Sequence, residues 1–184
     1  MHMATKTQRW TRSELARLPD DGNRYEVLDG QLFVTPLPAV PHQVIATRIL
    51  VLLVPYVERH SLGIVVGPGS VIVGDDELQP DVAVFPVTLS RGEQEWDALP
   101  RPLLVVEVLS RTTRRRDLEL KRRAYQAWGI PTYWVIDRFE SQALVWSPSN
   151  GEPAVVTHAL HWQPRQDVDA LVVPLADIGL GEPA

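Results

Sequence analysis

The sequence predicts an α/β or α+β fold with a central mixed β-sheet, flanking helices and an N-terminal β-hairpin. Short apolar runs at 103–106 and 133–136 have the length and composition of buried strands. A helical pattern lies between these two runs, and a strand–helix–strand unit of this kind is usually parallel and right-handed. Asp29-Gly30 between two alternating segments is typical of a two-residue hairpin turn.

Length and composition favour one intracellular domain. A chain of 184 residues fits one domain, and 45% hydrophobic residues suffice for a core. The absence of cysteine excludes disulfides and thiolate metal sites, and it fits a reducing cytoplasm. No segment approaches the ~18 uninterrupted apolar residues of a membrane span. We therefore expect a single cytoplasmic domain over 1–184, without membrane contact, in which residues 1–10 are flexible.

The N-terminal third predicts two helices and the hairpin. Thr11 and Glu14 have capping-box spacing, which predicts a short helix to about Leu18. A second amphipathic helix starts at Pro41 and extends to about His60. Pro55 interrupts it, and because a mid-helix proline costs ~3 kcal/mol, the helix either kinks there or ends near Leu53. The hairpin strands are expected at 25–28 and 31–34.

The remaining elements alternate between strands and loops. Residues 75–77 are expected to turn the chain into the strand that follows Asp81, and 88–101 to form a polar loop. A helix from about Arg115 to Trp128 ends at Gly129. Further strands are predicted at 63–73 with an interruption, 82–85, 103–109, 133–136, 143–146, 154–158 and 170–173.

Glu107 is the most informative residue, because it interrupts the apolar run that begins at Leu103. An ionised carboxylate in a buried strand is costly unless it is paired or binds a cation. Asp81, after Pro80, occupies a similar position at the start of another apolar strand. Simpler interpretations are an ion pair between Glu107 and a following arginine, and a turn hydrogen bond to Asp81.

Two carboxylates on adjoining strands predict a magnesium site. Mg²⁺ prefers oxygen ligands and keeps several waters, and Mn²⁺ is the expected substitute. The backbone carbonyl of Val108 is a further candidate ligand beside Asp81 and Glu107. A metal there would polarise a phosphate and activate a bound water.

Lys121 is the candidate cation that would assist the attacking water. Leu109, on the same strand face as Glu107, cannot do so. On the predicted helix, Lys121 shares a stripe with Asp117, whereas Leu120 and its helical neighbours form the expected core-facing stripe. The alternative is an Asp117–Lys121 surface pair worth ~0.3–0.5 kcal/mol.

Basic residues are concentrated directly after Glu107, although the net charge of the chain is −5. The segment 111–123 contains seven basic and two acidic residues. Arg111, Arg114, Arg115 and Arg116 are therefore candidates for binding nucleic-acid phosphates. The alternative is a solvated start of the helix.

Glu26 and His42 are secondary site candidates, with a strand residue and a helix-start histidine as their simpler interpretations. His158 and His161 are three apart in a predicted strand, so they face opposite sides and do not suit a zinc pair. No glycine-rich phosphate loop and no glycine-flanked nucleophilic serine is found in the sequence.

Several short motifs, taken together, resemble the bacterial Uma-two (Uma2) family. This is a family of proposed restriction endonucleases within the PD-(D/E)XK nuclease superfamily. The similarity extends from about Arg24 to Val145. The motifs that carry it are Tyr25–Gly30, Pro38–His42, Pro80-Asp81, Val105–Ser110, Lys121, Tyr125 and Gly129–Asp137.

The resemblance implies a restriction-endonuclease-like core over about 24–146, with Asp81 and Glu107 as magnesium ligands. It also implies that the lysine usually found two residues after the glutamate is replaced by Lys121 on a helix. Glu26 and His42 match recurrent family positions without a firm role. A homodimer is expected from the family alone.

We therefore expect a magnesium-dependent endonuclease that hydrolyses phosphodiester bonds of DNA, although the sequence itself does not choose between DNA and RNA. A catalytically inactive nuclease fold that binds nucleic acid is the second interpretation. The third is a module whose arginines bind an acidic protein. The sequence indicates neither a recognition site nor a biological role.

Overall fold

The structure, a computed structural model, describes residues 9–88, 95–148 and 150–181. The prediction of flexible residues 1–10 falls almost wholly outside the described residues. The predicted polar loop at 88–101 falls partly outside them. The C-terminal part of that loop contains a short 3₁₀ turn.

The N-terminal hairpin is confirmed. A short helix, α1 (Arg12–Leu15), begins where Glu14 accepts a hydrogen bond from the Thr11 backbone N–H at 2.8 Å. It ends before the predicted Leu18. Strands β1 (Arg24–Leu28) and β2 (Gln31–Thr35) then pair antiparallel across Asp29-Gly30. Both turn residues have positive φ, 52° and 76°, as a type I′ turn requires.

A four-stranded antiparallel sheet extends this hairpin in the order β2-β1-β5-β4. The added strands are β4 (Val71–Val73) and β5 (Asp76–Leu78). The prediction that residues 75–77 form only a turn is wrong. Gly74, with φ 62°, allows the chain to reverse within two residues, so that Asp76 already pairs with Val73.

A six-stranded mixed sheet forms the centre of the fold, in the order β10-β9-β8-β7-β6-β3. Only its β7–β8 pair is parallel, and the other neighbours are antiparallel. The predicted mixed sheet is thereby confirmed. Its strands are β3 (Ile64–Val66), β6 (Val82–Phe85), β7 (Leu104–Val108), β8 (Tyr133–Asp137), β9 (Gln142–Trp146) and β10 (Ala154–Val156). A two-stranded sheet, β11 (Ala159–Trp162) with β12 (Leu171–Pro174), follows.

Helix α2 (Val40–Arg59) is continuous through Pro55, so the predicted end near Leu53 is wrong. Proline removes one backbone hydrogen bond, but Leu53, Tyr56 and Val57 remain buried on the same face. Their packing offsets that loss.

By length and mean hydropathy alone, α2 would also suit a membrane span. Core helices share these properties, and seven residues of α2 are buried in the protein.

The six-stranded sheet separates two hydrophobic clusters. Val106 and Val108 of β7 lie with α2 in one cluster, whereas Val105 and Leu109 lie in the other. Strand alternation therefore directs Glu107 to the second cluster, which also contains Tyr125.

The helix after Glu107 differs from the predicted regular helix. A π-helical segment (Arg116–Lys121) precedes the short helix α3 (Arg122–Ala127). The stripe with Asp117 and Lys121 faces inward, which differs from the prediction, because both residues are buried while Leu120 is 38% exposed. The interpretation of Asp117 and Lys121 as a surface pair is therefore wrong. Their burial is tolerated because opposite charges surround them.

Candidate metal and phosphodiester site

Strand register brings Asp81 and Glu107 together. Strands β6 and β7 pair Val82 with Val106, so Asp81 and Glu107 are the next positions across this antiparallel pair. Both side chains are nearly buried, with 5% and 3% of their residue surface exposed. The Val108 backbone N–H donates to Asp81 Oδ2 at 2.8 Å. Val108 thus contacts the site through its amide, whereas the prediction concerned its carbonyl.

Asp81 contacts one arginine and one histidine side chain from other elements of the fold. Both terminal nitrogens of Arg24, on β1, lie 3.1 Å from Asp81 Oδ1. His42 Nε2, near the start of α2, lies 3.1 Å from Oδ2. Burial alone would raise the pKa of Asp81, but the His42 hydrogen bond and the Arg24 charge outweigh it and lower that pKa. Asp81 is therefore an ionised carboxylate at neutral pH.

Glu107 shares a buried lysine with a second glutamate. Lys121 Nζ lies 2.7 Å from Glu107 Oε1 and 2.7 Å from Glu26 Oε1. Tyr125 donates a hydrogen bond to the same Glu107 oxygen at 3.1 Å. Lys121 is fully buried and does not line the cavity described below. It lies behind Glu107, a different position from the water-facing one that the sequence predicts.

The two glutamates that contact Lys121 have opposite pKa shifts. For Glu26, burial raises the pKa, but Lys121, Arg116 and the Gln79 backbone N–H outweigh burial and lower it. For Glu107, burial together with the nearby carboxylates raises the pKa to about 8. One lysine cannot fully compensate both glutamates, so Glu107 holds a proton at neutral pH.

The site contains more carboxylates than fixed cations. The four buried carboxylates are Glu26, Asp81, Glu107 and Asp117, and the fixed cations beside them are Arg24, Arg116 and Lys121. Burial raises the pKa of Asp117, whose Oδ1 lies 3.9 Å from Lys121 Nζ. With all groups ionised and His42 neutral, the cluster has an excess negative charge that a cation or proton can compensate.

A cavity of about 390 Å³ opens onto Asp81 and Glu107. One part of its wall is the apolar segment 36–39 between β2 and α2. Another part comes from the segment 110–113, and Arg138 completes it. The cavity gives a ligand access to both carboxylates, which are otherwise shielded from solvent.

The donor chemistry fits a hard divalent cation. Lys121 and Tyr125 both contact Oε1 of Glu107, so Oε2 could bind a ligand. To bind a metal ion through Oδ1, Asp81 would first have to lose its contact with Arg24. Within the described residues, no three His, Asp or Glu side chains are grouped as a ready metal cage. Mg²⁺ commonly uses only one or two carboxylates together with waters and substrate phosphate, so this arrangement suits it.

The predicted phosphate-binding arginines differ in their surroundings. The Arg116 side chain is mostly buried, with Nη2 3.3 Å from Glu26 and 2.9 Å from Thr35 Oγ1. Arg114 contacts Asp137 at 2.7 Å, and Arg115 is 88% exposed beside Glu119. The cavity wall includes Arg111 and Arg116 but neither Arg114 nor Arg115.

Two residues beside the cavity were missed by sequence reasoning. Arg24 lies two positions before Glu26 on β1, and this period-two spacing is a signal that could have identified it. Arg138 follows the β8 strand in a turn, where no local pattern separates it from an ordinary surface arginine. The prediction that one strand contains both His158 and His161 is wrong, because His158 lies between β10 and β11 and His161 lies on β11; both are exposed.

Comparisons with known proteins agree with this picture at the level of family and fold. Residues 12–175 match the Uma2 family model, described as "Putative restriction endonuclease". A crystal structure described as a "putative nuclease belonging to DUF820", from Anabaena variabilis, is similar with a TM-score of 0.73 and 18% sequence identity. The similarity covers 91% of this chain and 96% of that chain, and it shows a common fold. A comparison with curated proteins gave no match.

Proposed function

The chain belongs to the Uma2 family, and we propose that it is a divalent-metal-dependent nuclease that hydrolyses phosphodiester bonds of DNA. The observation that carries this proposal is the pair of buried carboxylates, Asp81 and Glu107, on the wall of one cavity. When Glu107 loses its proton, the four buried carboxylates outnumber the three fixed cations beside them, and a bound metal ion can compensate the difference. Mg²⁺ is the proposed cofactor, with Mn²⁺ as its substitute.

When bound, the metal would supply Lewis-acid polarisation of the scissile phosphate and a water of lowered pKa. Asp81 contributes a carboxylate that is already ionised. Glu107 contributes a second carboxylate, which must lose its proton before it can coordinate. Lys121 and Tyr125 bind Glu107 Oε1 and thereby orient Oε2. Lys121 is therefore a positioning residue in this proposal, acting through Glu107.

An inactive nuclease fold that binds nucleic acid is the second candidate. The observation that favours it is the position of Lys121, which is fully buried and absent from the cavity wall. A lysine there cannot contact the attacking water directly. Metal-dependent cleavage of DNA distinguishes the two candidates.

The test is Mn²⁺ binding by calorimetry to the wild type and to the Asp81→Asn/Glu107→Gln double variant. We expect saturable binding that the variant loses, and metal-dependent cleavage of DNA by the wild type alone. Glu119→Gln/Asp167→Asn is the matched control, because it makes the same chemical changes at exposed carboxylates. Equal binding by wild type and site variant would contradict the proposal. Nucleic-acid binding without metal binding would support the inactive module.

A further inference from the structure

A third acidic side chain, Asp117, lines the cavity that opens onto Asp81 and Glu107. Like them it is nearly buried, with 2% of its residue surface exposed. Glu26, the fourth carboxylate of the cluster, does not line the cavity. The cavity wall therefore contains three carboxylates, and the proposed metal site uses only two of them.

Asp117 has the most distant cation partners of these three carboxylates. Its Oδ1 lies 3.8 Å from Arg116 Nε and 3.9 Å from Lys121 Nζ, and both distances exceed that of a hydrogen bond. Among the described residues, this buried oxygen has no hydrogen-bond partner. By contrast, Lys121 lies 2.7 Å from Glu107, and Arg24 lies 3.1 Å from Asp81. Because a buried acceptor without a donor is costly, a ligand that donates a hydrogen bond to Asp117 would be stabilised there.

Two backbone hydrogen bonds fix the position of Asp117 on its π-helical segment (Arg116–Lys121). Its N–H donates to the Thr113 carbonyl at 2.9 Å, and its carbonyl accepts from the Tyr133 hydroxyl at 3.0 Å. Tyr133 belongs to β8, so the central sheet holds this part of the segment. π-Helical turns are rare, and they frequently occur at functional sites. The Asp117 carboxylate is therefore placed at the cavity before any ligand binds.

The three carboxylates of the wall also act on one another electrostatically. Burial and the nearby charge of Asp117 are among the causes that raise the pKa of Glu107. Burial and the charge of Asp81 in turn raise the pKa of Asp117, against the opposite effect of Lys121. Carboxylates that repel one another around one cavity are stabilised by a cation that lies between them. Asp117 therefore belongs to the same electrostatic site as the two proposed metal ligands.

A hydrated Mg²⁺ ion needs hydrogen-bond acceptors for its waters as well as direct ligands. The ion keeps several waters and commonly takes one or two carboxylates directly, which Asp81 and Glu107 would supply. In the part of the chain that the structure describes, no three acidic or histidine side chains are grouped closely enough to coordinate one ion. Asp117 is therefore suited to accept a hydrogen bond from a metal-bound water, and not to coordinate the ion itself.

From these observations we infer that Asp117 is a third acidic residue of the metal site, which accepts a hydrogen bond from a water bound to the divalent cation. The inference rests on the proposed nuclease function and adds a residue outside the coordination shell to its metal site. Asp117 acts through the water, so it is a positioning residue. Loss of such an outer partner typically costs about 10–100-fold in metal affinity or activity.

The first experiment is a calorimetric titration of the full-length protein with Mn²⁺, in the absence of nucleic acid. Asp117→Asn should lose about 10–100-fold in affinity, because the amide is an uncharged and weaker acceptor. Glu26→Gln makes the same type of change at a buried carboxylate outside the cavity wall, and it should lose less. Glu119→Gln, on the same π-helical segment but 50% exposed, is the matched control, with an expected change below about twofold.

The wild type and the variants separate this inference from the proposed function. Absence of Mn²⁺ binding by the wild type would overturn the proposed metal site and this inference together. Mn²⁺ binding that is equal in the wild type and Asp117→Asn would overturn the inference alone and leave the metal site supported. Equal losses in Asp117→Asn and Glu26→Gln would also overturn it, because the effect would then come from the charge of the cluster and not from a contact in the cavity.

The second experiment is a crystal structure of the wild type with Mn²⁺, which does not depend on the folding of a variant. We expect a metal-bound water within about 2.5–3.0 Å of an Asp117 carboxylate oxygen. A merely structural Asp117 would contact no water of the ion, and that result would overturn the inference. Direct coordination of Mn²⁺ by Asp117 would overturn it as well, because the residue would then be a ligand of the ion itself.

Discussion

Asp81 and Glu107 occupy neighbouring strand positions with almost equal burial, yet their protonation states differ. Asp81 contacts Arg24, which is within hydrogen-bond distance of no other carboxylate among the described residues. Glu107 contacts Lys121, which lies equally close to Glu26. The pKa of Asp81 is therefore lowered, whereas that of Glu107 is raised to about 8.

The comparison shows that the number of carboxylates competing for a cation determines the charge of a buried acid. Asp81 and Glu107 are buried to a similar extent, and burial alone would raise the pKa of either residue. The His42 hydrogen bond and an unshared guanidinium together overcome that effect at Asp81. A shared ammonium does not overcome it at Glu107. In the proposed metal site, Asp81 would be a ligand that is already ionised, and Glu107 would be one that exchanges its proton for the metal.

Removing the shared cation should have the largest effect on this comparison. Lys121→Met leaves Glu26, Glu107 and Asp117 buried without their common partner. We expect a loss of about 3–5 kcal/mol in the free energy of unfolding at pH 8, because breaking a buried ion pair leaves uncompensated charge. Urea denaturation measures it. Arg123→Met, an exposed position on α3, is the control and should stay within about 0.5 kcal/mol of wild type. A loss below that of the control would show that Lys121 does not stabilise the cluster.

Isosteric amides at the two acids should have an intermediate and unequal effect. Asp81→Asn replaces an ionised group and leaves Arg24 uncompensated, so we expect a loss of about 2–3 kcal/mol at pH 6. Glu107→Gln replaces a protonated acid by a neutral amide that still accepts from Lys121 and Tyr125. Its expected loss is within about 1 kcal/mol. Equal losses in the two variants, measured by urea denaturation, would show that the acids have the same charge.

The sequence predicted the hairpin, the candidate acids and most of the strands, though not β5 or β11, because these features depend on local patterns. The apolar run around Glu107 determines its burial, and the short turn at Asp29-Gly30 determines the hairpin register. The orientation of the helix with Lys121 could not be predicted in this way. Its polar stripe faces inward because carboxylates from β1 and β7 are located there, and this is a tertiary fact. Arg24 and Arg138 belong to the same class, since only the fold brings them to the cavity.

The smallest expected effect is a change in how stability depends on pH. Because the folded pKa of Glu107, about 8, exceeds the ordinary value of 4.5, the folded state binds the extra proton between these pH values. Stability contributed by this proton is present below pH 4.5 and decreases as the pH rises to about 8. Asp81 has the opposite sign, since its stabilisation is lost only as the pH falls below its ordinary value of 3.8.

Between pH 5 and 8, the free energy of unfolding of the wild type should therefore contain a decreasing component that Glu107→Gln removes. Urea denaturation across this range measures the difference between the two proteins, which cancels contributions from groups that do not interact with Glu107. Glu119→Gln is the matched control and should leave the slope in this range unchanged, because it makes the same chemical change at an exposed glutamate outside the buried cluster. A Glu107→Gln slope identical to that of the wild type would mean that Glu107 is ionised at neutral pH. The proton that we expect the metal to displace would then have to come from another group.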